Sequence, residues 1–248
     1  MTDDCKAILD FLNCDYELFE NEKSGENILR RFNELTELGK EDGFIPLIVV
    51  ASDTLAETIE FIFDDFDVEN TTEGIAAYRA NVIKEAEKLD VGAFLADRLA
   101  EYMDMHKDIN VLGEFSEVES SGYFYSHMDG NTPHKEIILA KIPTRNPWEL
   151  AAWIPMGGFN DCPNPKEQMA VFRRWHQKYG AVPGLVTYEN WELELTNPPK
   201  SEVEAEILAK EQFAFCYDIV MQAGKGGDSI RALASQLKGS TAWYFWWD

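Results

Sequence analysis

Several signatures that would classify this chain at once are missing from it. Its four cysteines (Cys5, Cys14, Cys162 and Cys216) form no Cys-x-x-Cys pair. That argues against a zinc-ribbon ligand set or a dithiol redox motif, and reduced thiols in a cytosol are the expectation. Basic residues are scarce: 22 Lys and Arg stand against 45 Asp and Glu, a net charge of −23. Charge of that sign repels phosphate backbones and anionic membrane surfaces, so no nucleic-acid or membrane partner is expected. Long apolar runs are absent too. The longest, residues 44–51, is far short of the ~20 residues of a membrane helix. The opening Met1-Thr2-Asp3-Asp4 has neither a basic n-region nor an apolar h-region, so the expected location is cytoplasmic.

What is present is a core and a marked asymmetry. With 45% hydrophobic and 12% aromatic residues, the chain can bury a substantial interior. Residues 1–145 hold 32 of the acidic and 13 of the basic side chains, a net of −19, whereas residues 146–248 carry only −4. All seven tryptophans fall in the second stretch, from Trp148 to Trp247. The division predicts an α+β protein of two parts with a boundary near Pro143 and Pro147. Residues 1–145 form the acidic mixed helix and strand region, and residues 146–248 a Trp-rich α+β domain with a small sheet and packed helices.

Periodicity and capping residues predict helices over 3–13 and 24–39, the second ended by Gly39, and a buried strand over 44–50. Further helices are predicted from Ser52 or Asp53 to Phe63, from Thr71 or Thr72 to Leu89, and over 91–105. A hairpin about Asp129-Gly130 would join strands 121–127 and 135–142, and 148–154 reads as another strand. Asn164-Pro165-Lys166-Glu167 opens a helix with a cap, a first-turn proline and a reciprocal glutamate. That helix lines Met169, Phe172, Trp175 and Tyr179 along one side and stops at Gly180. A hairpin over 185–188 and 191–195, a helix over 201–221 and a short helix over 228–237 follow. The run Trp243-Tyr244-Phe245-Trp246-Trp247 reads as a strand inside the sheet, covered on both faces, with an acceptor for every indole N–H.

The segment with most chemical promise is Gly157-Gly158-Phe159-Asn160-Asp161-Cys162-Pro163-Asn164-Pro165. It sits before a helix start, where free N–H groups bind anions or lower a thiol pKa. Cys162 could act as a nucleophile with His176 as base and Asp161 or Asp218 as orienter. However, His176 lies some ~15 Å along the helix from its start, which favours a glycine turn and a thiol packed as a small hydrophobe. Arg173 and Arg174 are candidates for holding a carboxylate or phosphate. The candidate ligand set is therefore Gly157, Gly158, Asn160, Cys162, Arg173, Arg174 and Asp218.

Other patterns fall short of a site. His127 and His134 flank a turn with no further ligands at metal-binding spacing and read as exposed loop histidines. The acidic run 64–69 lacks the glycine and glutamate of an EF-hand loop. Gly224-Lys225-Gly226-Gly227-Asp228-Ser229 lacks the full phosphate-loop pattern. No metal and no cofactor are expected.

One resemblance is specific. The residues that carry it are Pro155-Met156-Gly157-Gly158-Phe159-Asn160 with Cys162-Pro163, Phe172-Arg173-Arg174-Trp175-His176, Tyr179-Gly180-Ala181 and Pro198-Pro199. The stretch Cys216-Tyr217-Asp218-Ile219-Val220 and the terminal Trp243-Tyr244-Phe245-Trp246-Trp247-Asp248 complete it. In these, residues 146–248 resemble the bacterial family called domain of unknown function 4253, with Phe159 where its members tend to carry Trp. The resemblance implies a domain boundary and a bacterial source but no activity. The expectation for function is a non-enzymatic protein-interaction protein, immunity-like or regulatory, whose partner is a basic protein. The alternatives are an enzyme or a small-ligand-binding module centred on the 157–165 loop.

Overall fold

Strand residues sort by parity onto two sides of one sheet. The computed structural model describes residues 1–65, 68–116, 122–223 and 228–248. Among these, β1 (Asp15–Glu20), β2 (Ile45–Val50), β5 (Glu136–Ile142), β6 (Val182–Val186), β7 (Asn190–Glu194) and β8 (Ala242–Trp246) form a mixed sheet in the order β1-β5-β2-β6-β7-β8. Leu47 and Val49 of β2, with Ile138, Ala140 and Ile142 of β5, enter the larger core. Ile48, Ile137, Leu139 and Leu185 face the other way and pack under Ile28, Phe32 and Leu35. Those three lie on one stripe of α2 (Gly25–Asp42), the amphipathic helix that covers this side.

The larger core carries most of the helices. α1 (Asp3–Leu12) packs on α3 (Asp53–Asp65), while α4 (Thr72–Lys88) and α5 (Val91–Met105) pack on helices from the second half of the chain. Local chemistry sets their ends. The Thr2 hydroxyl accepts from Cys5 N–H, Thr71 from Gly74 N–H, and Asp90 from Gly92 and Ala93 N–H. Ser52 caps α3 by accepting from Leu55 N–H at 3.2 Å.

The two stretches separated by composition meet within the sheet. β2 runs parallel to β6 through the pairs Ile48–Leu185 and Val49–Val186. α4 lies against α7 (Pro165–Tyr179), and α5 against α8 (Glu202–Phe215). The Arg98 guanidinium donates to Ala214 O at 2.7 Å and Asp161 O at 2.6 Å. The Arg79 guanidinium lies 3.8 Å from the ring of Trp153.

Several expectations are corrected. Residues 148–154 are not a strand. A 3-10 turn (Pro147–Glu149) leads into the single-turn helix α6 (Leu150–Trp153), and a short apolar run has no period with which to tell the two apart. α2 continues past Gly39 to a left-handed cap at Gly43 (φ 83°). Gly39 is required for another reason, because a Cβ there would come within 2.3 Å of the Phe44 carbonyl oxygen.

The helix expected over 201–221 breaks at Cys216, which is extended, and resumes as α9 (Asp218–Met221). The short helix is α10 (Ile230–Leu237), capped by Ser229. β1 was not anticipated, because its half-exposed residues show no clean alternation.

The hairpin at Gly130 joins only β3 (Met128–Asp129) and β4 (Thr132–Pro133), while β5 pairs with β1 and β2 instead. Residue 121 of that expected strand lies outside the described residues, as do parts of the acidic 64–69 run and of the 224–229 segment. β8 is an edge strand: Trp243, Phe245 and Trp247 are buried and Tyr244 and Trp246 only half-buried. No helix among the described residues is long and apolar enough to cross a membrane.

Candidate functional site

The 157–163 turn leads directly into α7 and is held from below by Gln168. This side chain is fully buried, and its amide nitrogen donates to Met156 O at 2.8 Å and Pro163 O at 2.7 Å. Its amide oxygen accepts from the Trp191 indole at 2.9 Å. Two carbonyl acceptors on one end and an indole donor on the other settle which way the amide points. Gly157 (φ 114°) has no room for a Cβ, which would stand 2.2 Å from Pro163 O. Asn164 and Glu167 form the reciprocal capping box that starts α7, and Gly180 (φ 64°) ends it.

Cys162 belongs to this packing. It is 5% exposed, and its Sγ lies 3.8 Å from Met156 Sδ and 3.6 Å from Gln168 Nε2. Burial, with Cys216 as a lesser cause, pushes its pKa well above the ordinary thiol value. The imidazole of His176 is engaged elsewhere, with Nδ1 3.0 Å from Ala181 O and its ring against Trp148. Burial pushes Cys5 and Cys14 up as well, each to about 11. The turn therefore stores its thiol in the neutral form.

The remaining candidates divide into two groups. Gly158 and Asn160 are exposed at the tip of the turn, and the Asn160 amide donates to the Asp248 carbonyl oxygen. Asp248 N–H in turn donates to Asp218 Oδ2 at 3.2 Å, and Gln222 Nε2 donates to Asp218 Oδ1 at 2.9 Å. Gly157, Gly158, Asn160, Cys162 and Asp218 thus form one connected region. Arg174 does not join it: it pairs with Glu211 on α8 at 2.8 Å, and the second Glu211 oxygen takes the Trp175 indole at 3.0 Å. Arg173 is half-buried beside it on α7.

His127 departs from expectation. It is buried at 3% exposure with Nδ1 unpaired, and a Cβ on Gly25 would come within 2.5 Å of its Nε2. Among the described residues no group of three or more His, Cys, Asp or Glu is placed to hold a metal ion.

One cavity touches this region and was not anticipated. It measures about 300 Å³ and lies between α8, α9, α10 and β8. Asp218 is the single candidate from the sequence that lines it; Gln212, Gln222, Leu233, Leu237 and Trp243 do so as well. Nothing local marks Gln212 as special, since it is one polar residue on the buried face of a helix. Only the fold places it on the wall of the same cavity as Trp243.

Residues 138–248 match the family model described as domain of unknown function (DUF4253). This is the family that the C-terminal residues resemble. The DUF4253 match begins inside β5, upstream of residue 146, and so takes in one strand of the acidic half. It contains the 157–163 turn, α7, the Asp218 region and the aromatic strand β8, and it leaves residues 1–137 uncovered. Neither the curated proteins nor the solved structures contain a match.

Proposed function

We propose that this protein acts by binding another, basic protein through the acidic surface of residues 1–145, in an immunity-like or regulatory role rather than a catalytic one. The observation that carries the reading is a carboxylate stripe on α3. Asp53, Glu57, Glu60 and Asp64 follow one another at four-, three- and four-residue spacing, which puts them on one face. All four are exposed, and none has a basic partner among the described residues. Phe61, 60% exposed, stands next to them. Asp97 and Glu101 extend the same character along α5. Unpaired like charges so arranged repel one another in the free protein, and a partner bearing Lys or Arg relieves that repulsion.

The test compares the full chain with a variant carrying Asp53→Asn, Glu57→Gln, Glu60→Gln and Asp64→Asn as bait in a bacterial lysate. The reading expects a basic protein retained by the wild type at low salt and lost by the variant. It should also be released near ~0.5 M salt, where the screening length falls to a few Å. Partners that ignore both the substitutions and the salt would defeat the reading.

A further inference from the structure

The two edges of the sheet are finished differently. At β8, groups of the chain itself meet the outward backbone. Ser240 Oγ donates to Ala242 O at 2.7 Å, Cys216 Sγ donates to Trp246 O at 2.9 Å, and Asp248 N–H donates to Asp218. β1 is left open. Asn21 N–H donates to Lys135 O at 2.8 Å, and the pairs Phe19–Ile137 and Glu17–Leu139 continue that ladder. Alternate residues of an antiparallel strand point their backbone groups to opposite sides. Glu17 and Phe19 therefore face β5, while Tyr16, Leu18 and Glu20 turn their N–H and C=O groups outward. None of these outward groups has a hydrogen-bond partner among the described residues. The three residues are exposed or half-buried, Tyr16 at 44%.

Proteins commonly blunt such an edge with proline, lysine, a bulge or a covering segment. The strand Asp15-Tyr16-Glu17-Leu18-Phe19-Glu20 has no proline, no lysine and no shift of register. Its charges are carboxylates, and they decide what can pair with it. A second copy of this chain, at a net charge of −23, is repelled. Glu17 is neutralised by Arg31 at 2.7 Å and Lys141 at 3.3 Å, and Glu20 by the N-terminal ammonium. Asp15 has no basic partner among the described residues. Beside it lies an open groove of about 810 Å³ between α1, the start of β1 and the start of α4. Asp10 and Asp15 outnumber Lys6 among the charged side chains that line it, and Tyr16 forms part of the same wall.

We propose that the free edge of β1 accepts an extended, lysine- or arginine-rich segment of a partner protein as a further strand. Main-chain hydrogen bonds to Tyr16, Leu18 and Glu20 hold the segment, and a basic side chain beside Tyr16 reaches Asp15 and Asp10 in the groove. The inference takes its basic partner from the function proposed above. The α3 carboxylates are not part of this edge, so a defined peptide tests it separately from the lysate experiment.

The experiment follows backbone amide exchange in the full-length protein labelled with nitrogen-15. The probe is a capped peptide of alternating Lys and Val, about six residues long, a common strand length. One control replaces Lys by Glu, and another methylates every peptide nitrogen, which keeps the charge and removes the strand donors. In the free protein Tyr16 and Leu18 should exchange fast, and Glu17 and Phe19 slowly. The Lys peptide should bind with a dissociation constant below ~1 mM and slow exchange at Tyr16 and Leu18 about tenfold or more. Neither control should do so. Tyr16→Pro removes one outward N–H at a position where an edge strand tolerates proline, so binding should weaken about tenfold with an unchanged melting temperature. Should that variant melt earlier, the methylated peptide still decides, because it leaves the protein intact. Binding of the methylated peptide as tightly as its parent would reduce the effect to charge attraction and overturn the proposal. So would shifts without protection of Tyr16 and Leu18, or equal binding by the Glu peptide. Protection of Tyr16 and Leu18 that grows with protein concentration in the absence of peptide would put a second copy on the edge and overturn it too.

Discussion

The Oε1 of Gln168 accepts the indole N–H of Trp191 at 2.9 Å while its Nε2 spans the carbonyls of Met156 and Pro163. One fully buried amide therefore joins β7, α7 and the 157–163 turn. Gln168→Leu keeps the volume and strands two carbonyls and an indole. With each stranded buried group costing ~1–3 kcal/mol, the expected loss is about 3 kcal/mol or more. Urea unfolding should show a lower midpoint with an unchanged slope. An unchanged midpoint would mean that the amide does not hold the turn.

Cys162 should be slow to alkylate. Its buried neutral thiol must be uncovered and ionised before it attacks iodoacetamide. Labelling at pH 7.5 should run on the order of 100-fold slower in the native protein than in guanidinium, as peptide mass spectrometry would show. Cys14, half-buried, should react before Cys5, Cys162 and Cys216, which are buried. Rapid selective labelling of Cys162 would restore the nucleophile reading.

His127 gives a pH signature. Burial, with His134 as a lesser cause, lowers its pKa from 6.5 to about 4, so the folded protein holds it neutral. The unfolded chain takes up the proton near 6.5, and the stability this group contributes is present above that pH. It is lost as pH falls toward about 4, by ~3 kcal/mol at ~1.4 kcal/mol per pKa unit. Melting temperatures measured between pH 7 and 4 should fall less steeply for His127→Gln than for the wild type. Parallel profiles would show that His127 is already charged in the fold.

β8 should be indispensable. Trp175 stacks on Phe245 at 5.3 Å and meets Trp243 edge-on at 5.5 Å, and Phe215 meets Trp247 edge-on at 5.3 Å. Ending the chain at Ser240 exposes that cluster. At about 25 cal/mol per Å² and roughly 150–250 Å² per ring, the loss is on the order of 10 kcal/mol, comparable to a whole domain's stability. Aggregation, or loss of a cooperative melt, is expected. A soluble truncated chain with an unchanged melting temperature would make β8 a dispensable tail.

Features whose causes lie within three or four residues of one another were readable in advance. Asn164, Pro165, Glu167 and Gly180 delimit α7 by their own hydrogen bonds and φ angles. Thr71 does the same for α4, and the period of Met169, Phe172, Trp175 and Tyr179 names the buried face. The α+β class and the DUF4253 resemblance were readable as well, since both rest on residue order and composition. β1 was not, because an edge strand with half-exposed residues has no alternation to detect. Nor was the turn at 147–153, whose short apolar run fits helix and strand equally.

What the sequence by itself determined about this protein is therefore its clearly capped helices such as α4 and α7, its charge asymmetry and its aromatic C-terminal core. The tertiary structure alone decided that β2 and β6 join the two halves in one sheet, that β8 lies at its edge, and that Arg174 serves Glu211. It also decided which buried donors find acceptors: Gln168 is satisfied on every side, whereas Gln212 and Trp243 are not. The reason is physical. A cap or an amphipathic face depends on neighbours along the chain, but a buried polar atom is satisfied or stranded by whatever the fold brings against it.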